Sequence, residues 1–193
     1  MIHPDTYLKP TPKGLGIFAG RPFRRGEILW ITDEMDARIS LCDYAGLSEL
    51  ERRKVNVYSY LDSSNRIVMP WDEGKYVNHS CDPNSTSLTE LDSISIALRD
   101  IAADEEIVED YYSYCGHFES FQCRCGARHC RGYIHDGKTF EPGLRIPLRE
   151  VAPLLLNLPQ PLLAIRSEEK NRLLELLQMT HHGAGAAVSP GSL

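Results

Sequence analysis

Tyr76-Val77-Asn78-His79-Ser80-Cys81, read with Cys123-Arg124-Cys125 and Cys130 further along the chain, decides how this protein is built. The later cluster has Cys-x-Cys-x4-Cys spacing and is one thiolate short of a closed tetrahedral zinc set, which Cys81 could complete. A site split in this way ties two distant loops together, so that metal binding contributes directly to folding. The metal is expected to clamp the fold around an active site.

The composition agrees with one domain and an appendage. The 193 residues are 42% hydrophobic and 25% charged, which is ordinary for a globular chain with a real core. A formal charge of −6 disfavours direct nucleic-acid binding and suits a basic substrate or a cationic cofactor. Six cysteines fit three disulfides in a secreted protein, but MIHPDTYLKPTPKG has no apolar run to act as a signal peptide. An intracellular, reducing location is therefore expected, in a bacterial cytoplasm or a nucleus. There Cys-x-Cys reads as a metal site, because a disulfide across one residue closes a strained ring. The apolar runs from Val151 to Leu158 and from Leu162 to Ile165 are too short to span a bilayer, so no membrane association is expected.

Short strands joined by turns fill the first two thirds. Leu15 to Ala19 and Glu27 to Thr32 are β-rich runs separated by Gly20-Arg21-Pro22 and Gly26. Tyr58 to Leu61 and Arg66 to Met69 flank Asp62-Ser63-Ser64-Asn65, a hairpin pattern that puts Tyr58 and Tyr60 on one strand face. Ile94, Ile96 and Leu98 alternate with Ser95, Ala97 and Arg99, the period of a strand with one buried face. Leu47 to Lys54 is the early helix, opened by Ser48-x-x-Glu51 as a capping box.

Beyond Cys130 the pattern turns helical. One helix is predicted from Leu148 to Leu158, stopped by Pro159 and Pro161. A second starts at Ser167, with Glu168 and Glu169 at the positive end of its dipole. Leu173, Leu174, Leu176 and Leu177 give this helix an apolar stripe, which either packs on the chain's own core or forms a homodimer or partner interface. The Gly/Ala/Ser tail from Gly183 is expected to be mobile. Lys13-Gly14-Leu15-Gly16 lacks the third glycine and following helix of a dinucleotide fingerprint.

Three further segments, taken in order, are Gly14-Leu15-Gly16-Ile17-Phe18-Ala19, Asn78-His79-Ser80-Cys81-Asp82-Pro83-Asn84 and Glu105-Glu106-Ile107-Val108-Glu109-Asp110-Tyr111. With Cys123-Arg124-Cys125-Gly126-x3-Cys130 they resemble the signature motifs of SET-domain protein lysine methyltransferases and their post-SET zinc motif. The resemblance implies a mainly β, α+β fold of small curved sheets with C-terminal helices. It also implies a knot-like crossing of the Asn78–Cys81 and Ile107–Tyr111 segments. The corresponding division is a SET domain over 1–116, a post-SET zinc motif over 117–135, a helical extension over 136–182 and a tail over 183–193.

The same resemblance implies methyl transfer from S-adenosylmethionine to a lysine amine of a basic protein: a histone, a ribosomal or a DNA-binding protein. This chemistry asks for a neutral, aligned and dehydrated amine, which a tyrosine-lined channel supplies. Tyr111 is the expected catalytic residue, with Tyr112 the alternative if the register slips by one. Lys13, Gly14, Leu15 and Gly16 would bring main-chain groups to the methionine end of the cofactor. Asn78 would bond its amino end, His79 would hold the adenine, and Tyr60 would line the lysine or cofactor pocket.

Cys81, Cys123, Cys125 and Cys130 would hold Zn²⁺, with Arg124, Arg128 and Arg131 softening the site's charge and His129 a bystander. Cys42 and Cys115 are expected as free thiols. Glu109 departs from the resemblance, which would place Phe or Tyr there; its carboxylate either accepts hydrogen bonds from a lysine ammonium or faces solvent. That departure keeps open a catalytically silent SET-like recruitment module acting through the Leu173–Leu177 helix; a purely structural zinc domain without a cofactor would need the Gly14–Ala19 and Asn78 motifs to be accidents.

Overall fold

The computed structural model describes residues 1–113, 119–135 and 145–184, with side chains through 180. Cys115 and the tail from residue 185 onward lie outside the described residues.

The chain opens with β1 (Thr6–Thr11) and β2 (Gly14–Ala19), a hairpin in register from Thr6 opposite Ala19 to Thr11 opposite Gly14. Gly14 closes the turn at φ +116°, a conformation that a Cβ would strain. After the fully buried β3 (Ile28–Ile31) and the short β4 (Ala37–Ile39) comes α1 (Leu41–Gly46), which carries the exposed Cys42. This helix has six residues and buries none of them, so it leaves no apolar period for a sequence reading to find.

In α2 (Glu49–Tyr58) the capping box is complete: Ser48 Oγ accepts the Glu51 amide, and the Glu51 carboxylate accepts the Ser48 amide. The helix runs past Lys54 and takes Tyr58 with it, which corrects the expectation that Tyr58 and Tyr60 share a strand face. Tyr60 belongs to β5 (Tyr60–Leu61), which pairs antiparallel with β6 (Ile67–Met69). The connecting turn is held by the Asp62 carboxylate, which accepts the amides of Ser64 and Arg66, with Asn65 at φ +57°.

The central strands are β7 (Asn78–His79), β8 (Ser85–Ser87), β9 (Ile94–Ala97) and β10 (Glu106–Glu109). β7 and β10 run parallel, with Val108 opposite Asn78 and Glu109 opposite His79, so the two expected crossing segments lie side by side. They complete the sheet β1-β2-β10-β7, while β3-β9-β8 and β4-β6-β5 form two further small sheets. A last hairpin pairs β11 (Phe121–Gln122) with β12 (Tyr133–Ile134).

Two helices follow, α3 (Leu148–Asn157) and α4 (Glu168–Ala184). Ser167 Oγ accepts the Lys170 amide at 3.2 Å, capping α4 as its sequence predicts. Leu173 and Leu177 are buried with Val151 and Leu155 against Ile94 and Ile96, so the α4 stripe packs on the chain's own core. On the other side Ala97 joins Ile17 and Ile107. β9 is therefore covered on both faces, and Ser95 is buried where alternation predicts an exposed residue. Small sheets with few helices make this the α+β arrangement that the resemblance implies.

Candidate active site and metal centre

The Sγ atoms of Cys81, Cys123, Cys125 and Cys130 all lie within 4.8 Å of one another, and Cys81 is 3.9 Å from Cys123. Four thiolates at the usual zinc–sulfur distance stand about 3.8 Å apart in a tetrahedron, so spacing and donor chemistry both fit Zn²⁺. Local backbone geometry prepares the set. The Cys123 amide donates to Gly132 O, the Cys130 amide to Ala127 O, and Gly126 and Gly132 turn at φ +73° and +74°. The amides of Arg131 and Gly132 donate to the sulfurs of Cys81 and Cys130, each at 3.4 Å. Burial opposes ionisation of Cys125, yet hydrogen bonds from backbone amides and from the Cys123 and Cys130 thiols hold its pKa at about 6. Burial pushes Cys123 up to about 12. Such a donor set gathers thiolates only beside a cation.

His79 joins this cluster to Tyr111. Its Nδ1 accepts the Tyr111 amide at 3.1 Å, which leaves Nε2, 3.3 Å from Cys81 Sγ, to carry the proton of the neutral ring. Burial lowers its pKa to about 4, so the ring is neutral at physiological pH. The Tyr111 ring packs against His79 and Phe121, and its hydroxyl donates to Val77 O at 2.9 Å. Burial first, then the neighbouring carboxyls of Glu109 and Glu106, hold that hydroxyl well above the ordinary tyrosine range. Arg131 reaches Asp110 at 2.7 Å and covers the Tyr112 ring, which ties the cysteine segment to the residues around Tyr111.

On the other side of Asn78, its Nδ2 donates to Leu15 O at 3.0 Å and to Glu106 Oε1 at 2.8 Å, while Lys13 Nζ donates to Glu106 Oε2 at 2.8 Å. Gly16 sits so close to this group that a Cβ there would lie 2.6 Å from Glu106 Oε1 and 3.0 Å from Asn78 Nδ2.

Two cavities meet here. A cleft of about 530 Å³ is lined by Lys13, Gly14, Leu15, Asn78 and Phe121. A narrower pocket of about 110 Å³ is walled by Tyr58, Tyr60, Pro70 and Glu109. Asn56, Val57, Tyr58, Lys75, Val77 and Tyr111 belong to both. A recess of about 270 Å³ lined by Asn78, His79, Phe121 and Cys123 lies between the cleft and the cysteine set.

The structure thus brings Lys13, Gly14, Leu15, Asn78, His79 and Tyr111 together. It does not put Gly16 on the cleft; that residue makes room for the Glu106–Asn78 contact. Tyr60 lies in the narrower pocket and away from the cleft, anchored by its hydroxyl 3.1 Å from Thr32 Oγ1. Glu106, Phe121 and the Val77 carbonyl escape the sequence reading. Glu106 and Phe121 stand beside motif residues, but nothing in the pattern separates a pocket residue from a spacer.

Glu109 is 3% exposed and lines the narrower pocket, so it does not face solvent. Burial lifts its pKa to about 7, against the opposing pull of the Ser95 and Ser85 hydroxyls and the Arg145 charge.

The SET domain family model matches residues 14–112. A variant-silencing SET domain-containing protein of Plasmodium falciparum is 32% identical over 155 residues, covering 67% of this chain and 6% of that protein. Histone-lysine N-methyltransferase trithorax of Drosophila virilis is 30% identical over 148 residues, 66% of this chain and 4% of that one. An H3 lysine-4 specific histone-lysine N-methyltransferase of Candida albicans is 25% identical over 142 residues, 68% and 14% of the respective chains. The chain thus spans 4% to 14% of the length of these relatives.

Proposed function

The chain belongs to the SET-domain family, and from that premise we propose that it transfers methyl groups from S-adenosylmethionine to the ε-amine of lysine in a basic, histone-like protein. The observation that carries this reading is the meeting of the wide cleft and the narrow tyrosine-walled pocket at Tyr111 and Val77.

S-adenosylmethionine, when bound, supplies a methyl group on a sulfonium centre, whose sulfur leaves as a neutral thioether without acid assistance. Lys13, Gly14, Leu15 and Asn78 would hold it in the cleft, with His79 in the adjoining recess. The chain's own task is orientation and exclusion of water. The faces of Tyr58 and Tyr60 suit the aliphatic stem of a lysine. The Tyr111 hydroxyl, fixed by the Val77 carbonyl and held neutral, marks the junction where amine and methyl group would meet. Cys81, Cys123, Cys125 and Cys130 would hold Zn²⁺ with its coordination filled by protein, a structural role that fastens the residue 117–135 motif beside Asn78 and His79. The SET unit would then cover 1–116, followed by a helical extension over 136–182 whose helices α3 and α4 pack on its core.

The histone methyltransferase relatives support a basic protein substrate and action inside the cell or nucleus. No helix among the described residues is long and apolar enough to cross a membrane. Isothermal titration of the zinc-loaded protein with S-adenosylmethionine tests the reading. Saturable binding at one site is expected; its absence would overturn the enzyme reading and leave a silent recruitment module or a structural zinc domain.

A further inference from the structure

The narrower pocket is lined by the buried Pro70 and Glu109 and by Val57, which is 66% exposed and also lines the wide cleft. An acidic side chain buried in the wall of a tyrosine-lined pocket is costly to keep ionised unless a cation comes to it. Hydrogen bonds with the hydroxyls of Ser85 and Ser95 orient the carboxyl. A volume of about 110 Å³ between tyrosine side chains is too small for a large ligand and suits an unbranched alkyl ammonium.

We propose that Glu109 is a catalytic residue, which receives the target lysine's ammonium group in this pocket and removes its proton before methyl transfer. The proposal rests on the methyltransferase reading above. In the step, an N–H bond of the ammonium breaks and an O–H bond forms on the Glu109 carboxylate. The electron pair left on nitrogen is the nucleophile, and the proton passes from Glu109 to solvent after product leaves.

The groups around Glu109 suit this exchange. Arg145 favours the carboxylate, His79 across the β7–β10 pair is neutral, and Tyr58, Tyr60, Tyr111 and Lys75 complete the pocket's titratable lining. A pKa lifted by burial to about 7 places proton uptake and release in the range where a general base works best.

The test compares wild type with Glu109→Gln, using the whole zinc-loaded chain, S-adenosylhomocysteine in the cleft and n-butylammonium as the lysine side-chain probe. Calorimetric affinity of wild type is expected to rise about tenfold between roughly pH 6 and pH 8, as one group with a pKa near 7 ionises; the glutamine variant should be flat. With mixed histones and S-adenosylmethionine, Glu109→Gln should be slowed about 100-fold at neutral pH, the gap closing toward about pH 10 as free amine becomes plentiful. Equal affinities and equal rates at every pH would overturn the proposal. The Glu109 carboxyl ¹³C resonance, followed in wild type alone, gives a check independent of the variant's folding. Its titration near neutrality should shift when n-butylammonium is added, and an unmoved resonance would also overturn the proposal. Equal S-adenosylmethionine binding by both proteins assigns the loss to the lysine pocket, whereas a wild type that binds none overturns the methyltransferase reading and this proposal with it.

Discussion

The hydroxyl of Tyr111 donates to the main-chain carbonyl of Val77 across 2.9 Å, at the wall shared by the wide cleft and the narrow pocket. Removing that hydroxyl leaves the ring contacts with His79 and Phe121 in place and deletes one hydrogen bond, a stability cost of about 1 kcal/mol. Tyr111→Phe should therefore keep its circular dichroism spectrum and lose about 100-fold or more in methyl transfer, by analogy with the loss of one preorganised polar group. Retained activity would remove Tyr111 from the proposed machinery.

Metal content should be about one zinc per chain, because four cysteine sulfurs complete one tetrahedral site. Cys81→Ser and Cys123→Ser should each lower it, measured by plasma emission on the purified proteins. Both should also weaken S-adenosylmethionine binding, since Cys81 follows Asn78 and His79 on one short segment and His79 Nε2 lies 3.3 Å from its sulfur. A fully active, metal-free protein would contradict the clamp.

Glu109 also predicts a pH dependence of stability. Its pKa rises from 4.5 in the unfolded reference to about 7 in the fold, so the native state holds the proton more tightly. The contribution is full below about pH 4.5 and is lost as pH climbs through about 7. Relative to Glu109→Gln, wild type should lose up to roughly 3 kcal/mol over that window, read from urea unfolding of both proteins. A flat difference would show that Glu109 is not held neutral by burial.

Gly16→Ala should act on the cleft from behind. The new Cβ would sit 2.6 Å from Glu106 Oε1 and displace the carboxylate that bonds both Asn78 and Lys13. Because Glu106 offers only the end of a flexible side chain, the fold should persist. S-adenosylmethionine binding should weaken about tenfold, or about 1.4 kcal/mol. Unchanged affinity would mean that this hydrogen-bonded group does not shape the cleft.

What could be read from sequence was local. Ser48-x-x-Glu51 states its own capping box and Ser167 its own cap, because neighbouring residues supply every partner, and Cys-x-Cys-x4-Cys states three sulfurs of a donor set whose fourth, Cys81, comes from a distant segment. What could not be read depends on contacts made from far along the chain. β9 alternates like a half-exposed strand, yet α3 and α4 cover one face and the first sheet covers the other. Tyr58 looked like a strand partner of Tyr60, but helix α2 propagates through it. The Asn78–Glu106–Gly16 contact and the burial of Glu109 arise only when β2, β7 and β10 are laid side by side, so no window of sequence contains them.

The central claim is methyl transfer to lysine. Its most direct test is to incubate the zinc-loaded protein with deuteriomethyl S-adenosylmethionine and a panel of histones, ribosomal and DNA-binding proteins, and to read lysine modification by mass spectrometry. The account predicts deuteriomethyl groups on specific lysines, lost with Tyr111→Phe. A panel without a single labelled lysine would contradict it, whereas labelling that survives in Tyr111→Phe would remove Tyr111 alone from the machinery.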